Sequence, residues 1–168
     1  MKLRDFKEKD AKPMLEWMHS NLSQKVFAKD FNSFTKEKVL DFIKNAKNYK
    51  NQIHLACVDD NDNYLGTISL KNIDYENRNA EYAISFHEKA FGTGASTYAT
   101  EEILRIAFEE LKLQKVYLNV LSINERANAF YNKIGFKKVG IFHNHILKNN
   151  GYEDLIWYEM QKEEYEKN

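Results

Sequence analysis

The chain has 168 residues, and its 25 basic and 25 acidic side chains give a formal net charge of zero. This length predicts one domain over residues 1–168, and a hydrophobic content of 43% excludes a disordered chain. The balanced charge argues against nucleic acid or an anionic membrane as the main partner.

The distribution of cysteine and apolar residues predicts a cytoplasmic location. The single cysteine, Cys57, excludes an internal disulfide, which is typical of a reducing compartment. No apolar run approaches the roughly 20 residues that a membrane helix needs. The N-terminal segment MKLRDFKEKD lacks the apolar stretch of a signal peptide. The charged end of the chain, residues 161–168, is predicted to fray.

The first half of the chain predicts a strand, two helices and then three strands. The predicted strands cover residues 2–6, 53–58, 64–73 and 80–86, and the predicted helices cover residues 10–20 and 35–46. Asp10 and Thr35 begin the two helices, because both residue types cap helix N-termini. The polar segment 59–63 predicts a turn, so the strands on either side of it form a hairpin.

The second half predicts a long helix, a strand, a short helix and a closing hairpin. The long helix, residues 95–111, carries an apolar stripe at helical spacing. The later predicted elements are a strand at 115–121, a helix at 124–133 and strands at 136–147 and 152–160. Asn150 and Gly151 predict the turn of the closing hairpin. This order of elements predicts a mixed α/β domain built around one twisted sheet.

A glycine turn, KAFGTGAS (Lys89 to Ser96), separates a predicted strand from the long helix. Glycine permits unusual backbone dihedrals and removes the Cβ that would block an anion, and a helix N-terminus supplies unpaired N–H donors. The residues alone leave two interpretations open. Either the amides of residues 92–96 cradle a pyrophosphate, or the turn only reverses the chain. A P-loop and a dinucleotide fingerprint are excluded, because no Gly-Lys-Ser/Thr and no third glycine follow.

A more specific pattern lies in NERANAFYNKIGF, residues 124–136, which reads Asn-x-x-Ala-x-x-Phe-Tyr-x-x-x-Gly-Phe. It follows the glycine turn by one helix and one strand. With EYAISFHEKAFGTG before it, the chain resembles the GNAT superfamily of acetyl-coenzyme A-dependent acetyltransferases, in its ribosomal-protein N-terminal acetyltransferase-like branch. The resemblance covers roughly residues 53 to 160. Phe91 stands where many members carry Gln or Arg, and Ser96 stands where the wider motif has Gly or Ala.

The resemblance implies a GNAT-type fold, with one twisted, mostly antiparallel sheet flanked by helices. Two adjacent parallel strands, residues 80–86 and 115–121, would splay apart around the pantetheine of acetyl-coenzyme A, which is the implied co-substrate. The pyrophosphate would lie on the glycine turn. The implied cofactor-binding residues are Ile84, Ser85, Phe86, Phe91, Gly92, Thr93, Gly94, Ala95, Ser96, Asn124 and Tyr131. No metal is expected.

The implied reaction moves an acetyl group directly from the thioester sulfur to a neutral amine. Tyr131 is the candidate general acid, because a phenol with a pKa near 10 can protonate the departing thiolate. The alternative is a ring that only packs beside Phe130. Glu81 is the candidate general base, directly or through water. Its alternative is a solvated carboxylate paired with Lys71 or Arg78.

The remaining polar residues are assigned with alternatives. His143 and His145 are two residues apart on a predicted strand and are expected on one face. Three roles are open for them: a polar outer surface of the strand, part of the wall of an acceptor pocket, or two zinc ligands without a third. Asp154 is expected to hold the closing hairpin. Cys57 is expected to be a small buried side chain and not a nucleophile.

Two classes of function follow. The leading hypothesis is an N-acetyltransferase that acts on a primary amine, namely a protein N-terminus, a polyamine or an amino-sugar nucleotide. The second is a catalytically silent domain that binds coenzyme A as a sensor or assembly module. Nucleic-acid binding is disfavoured by the zero net charge and the lack of a basic stripe. A homodimer formed through the sheet edge or the last hairpin stays open.

Overall fold

The computed structural model describes residues 1–149 and 151–167 as strands, helices and short connections. The strands are β1 (Lys2–Arg4), β2 (Ile53–Val58), β3 (Tyr64–Asp74), β4 (Asn79–Phe86), β5 (Lys115–Leu121), β6 (Lys137–Lys148) and β7 (Gly151–Gln161). The helices are α1 (Ala11–Met18), α2 (Asn21–Val26), α3 (Lys36–Asn45), α4 (Ala95–Arg105), α5 (Glu125–Ile134) and α6 (Lys162–Tyr165). Within these ranges no helix combines the length and the apolar character that crossing a membrane requires.

The seven strands form one sheet in the order β1-β2-β3-β4-β5-β7-β6, in which only β4 and β5 are parallel neighbours. These two strands pair over three positions, from Asn79 opposite Lys115 to Glu81 opposite Tyr117. Beyond Glu81, among the described residues, β4 pairs with β3 alone and β5 with β7 alone. The predicted fold class and the predicted splay of the parallel pair are therefore confirmed, and Glu81 lies where the gap opens.

Alternation along the central strands gives the sheet two different faces. On one face Leu70 and Tyr82 belong to the main core, together with Ile103 of α4. On the other face His54 and Ser69 are opposite each other on β2 and β3. A second apolar cluster built mainly from α1, α3 and the segment after α2 covers this polar face. A polar surface is thus enclosed between the sheet and an apolar cluster.

The N-terminal half differs from the predicted elements in two places. The helix α2 was not predicted, because NLSQKV carries no apolar stripe; Ser20 caps it by accepting the Ser23 N–H at 3.1 Å. Asp10 precedes α1, but its side chain does not cap that helix. Its buried carboxylate instead accepts two bonds from the Arg4 guanidinium, at 2.7 and 2.9 Å. A buried carboxylate is most stable next to such a cation, and this partner could not be read from local sequence.

The later elements begin and end within a few residues of the predictions, except at the end of the long helix and in the tail. The predicted helix 95–111 is α4 followed by a π-helical turn, Ile106–Glu110. In the charged tail, expected to fray, α6 forms and the Tyr165 ring stacks on Phe108 with the centroids 4.9 Å apart. The predicted turn residue Asn150 lies outside the described residues.

Candidate functional site

A cleft of about 970 Å³ opens where β4 and β5 separate. One end reaches the glycine turn and the start of α5, and the other lies under α1 and α2. The predicted site residues that line it are Glu81, Ile84, Ser85, Phe86, Phe91, Gly92, Gly94, Ser96, Asn124 and Tyr131. Thr93 and Ala95 do not line it: Thr93 borders a neighbouring cavity of about 640 Å³, and Ala95 is buried in the core.

The glycine turn presents free backbone donors at the N-terminus of α4. Gly92 and Gly94 have φ angles of +76° and +82°, a left-handed conformation that glycine adopts readily. The N–H groups of Thr93 and Ala95 donate to protein oxygens at 3.3 Å. Among the described residues, the N–H groups of Gly92, Gly94 and Ser96 have no protein acceptor. The turn therefore offers three free donors, fewer than the five that the sequence predicts for residues 92–96.

Arg126 is a residue of the cleft that the sequence analysis missed. Its guanidinium carbon lies 3.1 Å from the centre of the Phe91 ring. Burial lowers the pKa of Arg126, and no carboxylate of the described residues opposes that effect. The guanidinium nevertheless stays charged, since arginine does not lose its proton in proteins. Because Phe91 directly precedes Gly92, the stacking holds a positive charge beside the glycine turn.

Tyr131 lies on α5 and is 6% exposed. The rings of Tyr82, Phe136 and Tyr158 surround it, with centroids 5.8 to 6.0 Å away. Burial, and then the neighbouring Tyr158, raise the pKa of the Tyr131 phenol well above its ordinary value. The phenol is therefore protonated at neutral pH, and it lines the cleft. The packing beside Phe130, given above as the alternative, is present as well, with the two ring centroids 5.7 Å apart.

Glu81 occupies the last position at which β4 pairs with β5. Its Oε1 accepts a hydrogen bond from Lys71 Nζ at 2.8 Å, and its Oε2 accepts one from Asn72 Nδ2 at 2.9 Å. The pairing with Lys71, stated above as the alternative for Glu81, is thus observed. Each carboxylate oxygen keeps a second lone pair, so these contacts fix the carboxylate without exhausting its capacity to accept.

His54 is a second polar group of the cleft that the sequence left unassigned. Its Nδ1 lies 2.7 Å from Ser69 Oγ, and its Nε2 lies 2.8 Å from Gln52 Oε1. Burial, and then the charge of Lys71, lower the pKa of His54 to about 4, so the ring is neutral at neutral pH. Because the Gln52 oxygen accepts from Nε2–H, Nδ1 is the acceptor and the Ser69 hydroxyl donates to it. The Ser69 hydroxyl, which belongs to a residue lining the cleft, is therefore held by His54.

The polar residues of the closing hairpin lie outside the cleft. Asp154 Oδ2 lies 2.9 Å from His143 Nδ1, and Asp154 Oδ1 accepts the Asn144 N–H at 2.8 Å, which confirms that Asp154 holds the hairpin. A bulge that includes Asn144 (φ +49°) interrupts the alternation expected for the two histidines, and His145 packs against Phe142. Neither histidine lines the cleft, so the expected acceptor-pocket role is not supported.

Two further side-chain expectations concern metals and the thiol. In the part of the chain that the structure describes, no group of three or more His, Cys, Asp or Glu side chains is placed to hold a metal ion. Cys57 is fully buried, and burial raises the pKa of its thiol to about 11. The thiol is therefore protonated and inaccessible, as expected for a packing residue.

Comparisons with known proteins identify the family of the chain. Residues 1–137 match the family model described as the acetyltransferase (GNAT) domain. A Bacillus subtilis (strain 168) protein, provisionally named ribosomal N-acetyltransferase YdaF, is 35% identical over 101 residues, which is 60% of this chain and 55% of that protein. Spermidine N(1)-acetyltransferase of Escherichia coli (strain K12) is 32% identical over 91 residues, 54% of this chain and 49% of that protein. The matches span about half the length of these relatives.

The fold is also similar to a solved structure. The Vibrio cholerae spermidine N-acetyltransferase in complex with CoA and spermine superposes with a TM-score of 0.88 over 98% of this chain and 96% of that chain, at 20% sequence identity. At this identity the likeness shows the fold alone. The family model covers most of the chain and confirms the resemblance inferred from the two motifs. The chain belongs to the acetyltransferase (GNAT) family.

Proposed function

We propose that this protein is an N-acetyltransferase that transfers the acetyl group of acetyl-coenzyme A to a primary amine. The observation that carries the proposal is one continuous cleft in which a splayed strand pair, free backbone amides and a protonated phenol meet. Each feature matches a different part of the co-substrate: the strand suits the amides of pantetheine, the turn suits the diphosphate and the phenol suits the sulfur.

The turn and its neighbours suit the diphosphate. The free N–H groups of Gly92, Gly94 and Ser96 lie at the start of α4, where the helix dipole also favours negative charge. Arg126, stacked on Phe91, adds a cation beside them. These groups together would neutralise and orient the diphosphate.

The strand and the cap of α5 suit the pantetheine arm. Beyond Glu81, the backbone of β4 faces the gap, and we place the pantetheine amides along Ile84–Phe86. Asn124 caps α5, because its Oδ1 accepts the Ala127 N–H at 3.2 Å. Its amide NH₂ keeps two donors for a pantetheine carbonyl. This arrangement would set the thioester near Tyr131 and Glu81.

The chemistry then uses two side chains. The neutral amine attacks the thioester carbon, a C–N bond forms, and a backbone N–H of β4 would stabilise the oxyanion. The C–S bond breaks, and the thiolate takes a proton from the Tyr131 hydroxyl. The proton of the former amine passes to Glu81, directly or through water; Glu81 then releases this proton to water, and water returns a proton to the Tyr131 phenolate. Amide and free coenzyme A are the products.

A direct assay tests this function. The purified protein is incubated with acetyl-coenzyme A and, separately, a peptide with a free N-terminus, spermidine and an amino-sugar nucleotide. We expect thiol release that depends on the amine, and an acetylated product seen by mass spectrometry. Acetyl-coenzyme A binding in calorimetry without transfer to any amine would favour the silent binding module. Absence of binding would contradict both.

A further inference from the structure

The half of the cleft that lies under α1 and α2 has an aromatic wall. Trp17, Phe27, Phe31 and Phe34 contact one another edge to face, with ring centroids 5.1 to 6.1 Å apart, and all four line the cleft. Trp17 and Phe31 are only 6% and 9% exposed, so Phe27 and Phe34 present most of the accessible ring surface. This surface favours a ligand with an apolar or planar body.

The charged residues of the cleft are mainly basic. Among the described residues that line it, the cations are Lys25, Lys29, Lys71, Arg126 and Lys133, and the carboxylates are Glu81 and Glu125. Glu81 is already bonded to Lys71 and Asn72. Glu125 lies on α5, and the lining residues from α1, α2, α3 and the segment after α2 include Lys25 and Lys29 but no carboxylate.

The segment that carries these lysines is held in place from two sides. Lys148 of β6 donates from Nζ to the carbonyl oxygens of Gln24 and Phe27 at 2.8 and 2.6 Å, which ties the end of α2 to the closing hairpin. Lys29 Nζ lies 4.8 Å from the centre of the Phe34 ring, a cation–π contact. The positive charge is therefore set at the edge of the aromatic wall.

A polyamine fits this surface poorly. In the half of the cleft under α1 and α2, its ammonium groups would leave water without a lining carboxylate and would stand near Lys25 and Lys29, which carry charge of the same sign, and both effects oppose binding. An acceptor whose own charge is negative gains from the same lysines. The charges that line the cleft thus favour an anionic acceptor over a polyamine, whereas the acetyl-transfer chemistry alone does not distinguish these two classes.

Building on the proposed acetyl transfer, we propose that the acceptor is an amine that also carries a planar or apolar body and an anionic group. The body packs against Trp17, Phe27, Phe31 and Phe34, and the anion, a phosphate or a carboxylate, pairs with Lys25 and Lys29. The amine then points along the polar face of the sheet toward Ser69 and Glu81. The basic side chains set the preference for an anionic acceptor over a polyamine.

The test compares acceptors that differ only in the anion. The pairs are an amino-sugar 1-phosphate against the free amino sugar, and Phe-Glu amide against Phe-Gln amide, with spermidine as a separate acceptor. We expect kcat/KM to be about tenfold or more higher for the anionic member of at least one pair, and lowest for spermidine. The pair that responds tells whether a phosphate or a carboxylate is the source of the anion.

Charge-reversal variants then test whether Lys25 and Lys29 cause the preference for the anionic acceptor. The double variant Lys25→Glu, Lys29→Glu is expected to abolish the preference for the anionic member and to leave the KM for acetyl-coenzyme A unchanged. Lys44→Glu, which changes an exposed lysine of α3 outside the cleft, is the matched control and is expected to keep the preference.

The outcomes separate this inference from the proposed function. Transfer that favours spermidine, or equal rates within both pairs, overturns the inference and leaves the acetyltransferase activity in place. A preference that survives the double charge reversal also overturns it. Binding of acetyl-coenzyme A without transfer to any of the five amines overturns the proposed function itself, and the inference with it.

Discussion

Lys71 and Glu81 face each other on β3 and β4, and Lys71 Nζ lies 2.8 Å from Glu81 Oε1. Glu81 is also the last residue of β4 that pairs with β5. The ion pair therefore stands at the point from which the two parallel strands diverge. Under the proposed function, a carboxylate held there would meet an amine that approaches along the polar face of the sheet.

Glu81→Gln keeps the shape of this side chain and removes its basicity. We expect kcat to fall by about 10²-fold near neutral pH with little change in the KM for acetyl-coenzyme A, because the amine loses its proton acceptor. The difference in kcat between Glu81→Gln and the parent protein is expected to become smaller above about pH 8, where an α-amine loses its proton to solvent. Steady-state rates across this pH range measure the effect.

The control for Glu81→Gln is Glu102→Gln, which alters a carboxylate paired with Arg105 on α4 outside the cleft. We expect this control to keep the parent kcat. A Glu81→Gln enzyme that matches the parent at every pH would show that water alone takes the proton.

Tyr131→Phe removes one hydroxyl from a packed ring. We expect kcat to fall by about 10²-fold while the Kd for coenzyme A stays the same, because the thiolate then leaves without a proton donor. Tyr165→Phe is the matched change, since the Tyr165 hydroxyl donates to Glu109 away from the cleft, at 2.6 Å. Equal turnover in the two variants would contradict the role given to Tyr131.

Gly94→Ala tests the backbone of the glycine turn. A Cβ at Gly94 meets no atom within 4 Å, so its effect arises from the positive φ of +82° alone. Holding alanine in this conformation costs about 1–2 kcal/mol, and relief of that strain would rotate the free amides. We expect about tenfold weaker binding of coenzyme A in calorimetry.

Gly140→Ala provides the comparison for the turn. Gly140 also has no atom within 4 Å of an added Cβ, and its φ is not in the left-handed range. We expect this variant to bind coenzyme A like the parent protein. If both alanine variants bound equally well, the left-handed backbone of the turn would have no part in holding the ligand.

Protonation of His54 links stability to acidity. The pKa of His54 is lowered from 6.5 to about 4 in the folded protein, first by burial and then by Lys71. Between pH 6.5 and 4, His54 is protonated in the unfolded chain but not in the folded protein. The free energy of unfolding therefore falls as the pH drops from 6.5 toward 4. Below pH 4 this contribution of His54 no longer changes. Urea denaturation over a pH series measures this slope.

Replacing the ring isolates the contribution of His54 from that of the carboxylates. We expect the free energy of unfolding of His54→Gln to change less between pH 6.5 and 4 than that of the parent protein. His145→Gln, at an exposed position of β6, is expected to keep the parent slope. Identical slopes in all three proteins would mean that His54 titrates in the folded state as it does in the unfolded chain.

The parts of the site that depend on short local patterns could be predicted from the sequence. Gly92 and Gly94 mark a turn before a helix, and the spacing from Asn124 to Phe136 fixes Tyr131 on the inner face of α5. The mostly antiparallel sheet and its splayed parallel pair followed from the family resemblance. The glycine turn and the 124–136 pattern can be recognised from residues that are close together in the sequence.

The contacts that could not be predicted join residues far apart in the chain. Arg126 meets Phe91 across 35 positions, and His54 meets Ser69 only once the register of β2 and β3 is known. The composition of the acceptor half of the cleft depends on how the segment after α2 folds back over the sheet. No local pattern specifies that path, because α2 is short and has no apolar stripe.

Amide NMR of the protein titrated with coenzyme A tests the central claim, that the gap between β4 and β5 and the glycine turn together hold this co-substrate. We expect the largest shifts at the N–H groups of Gly92, Gly94 and Ser96, with further shifts along Ile84–Phe86. Saturating coenzyme A that leaves these amides unmoved, or moves only amides remote from the cleft, would contradict the account.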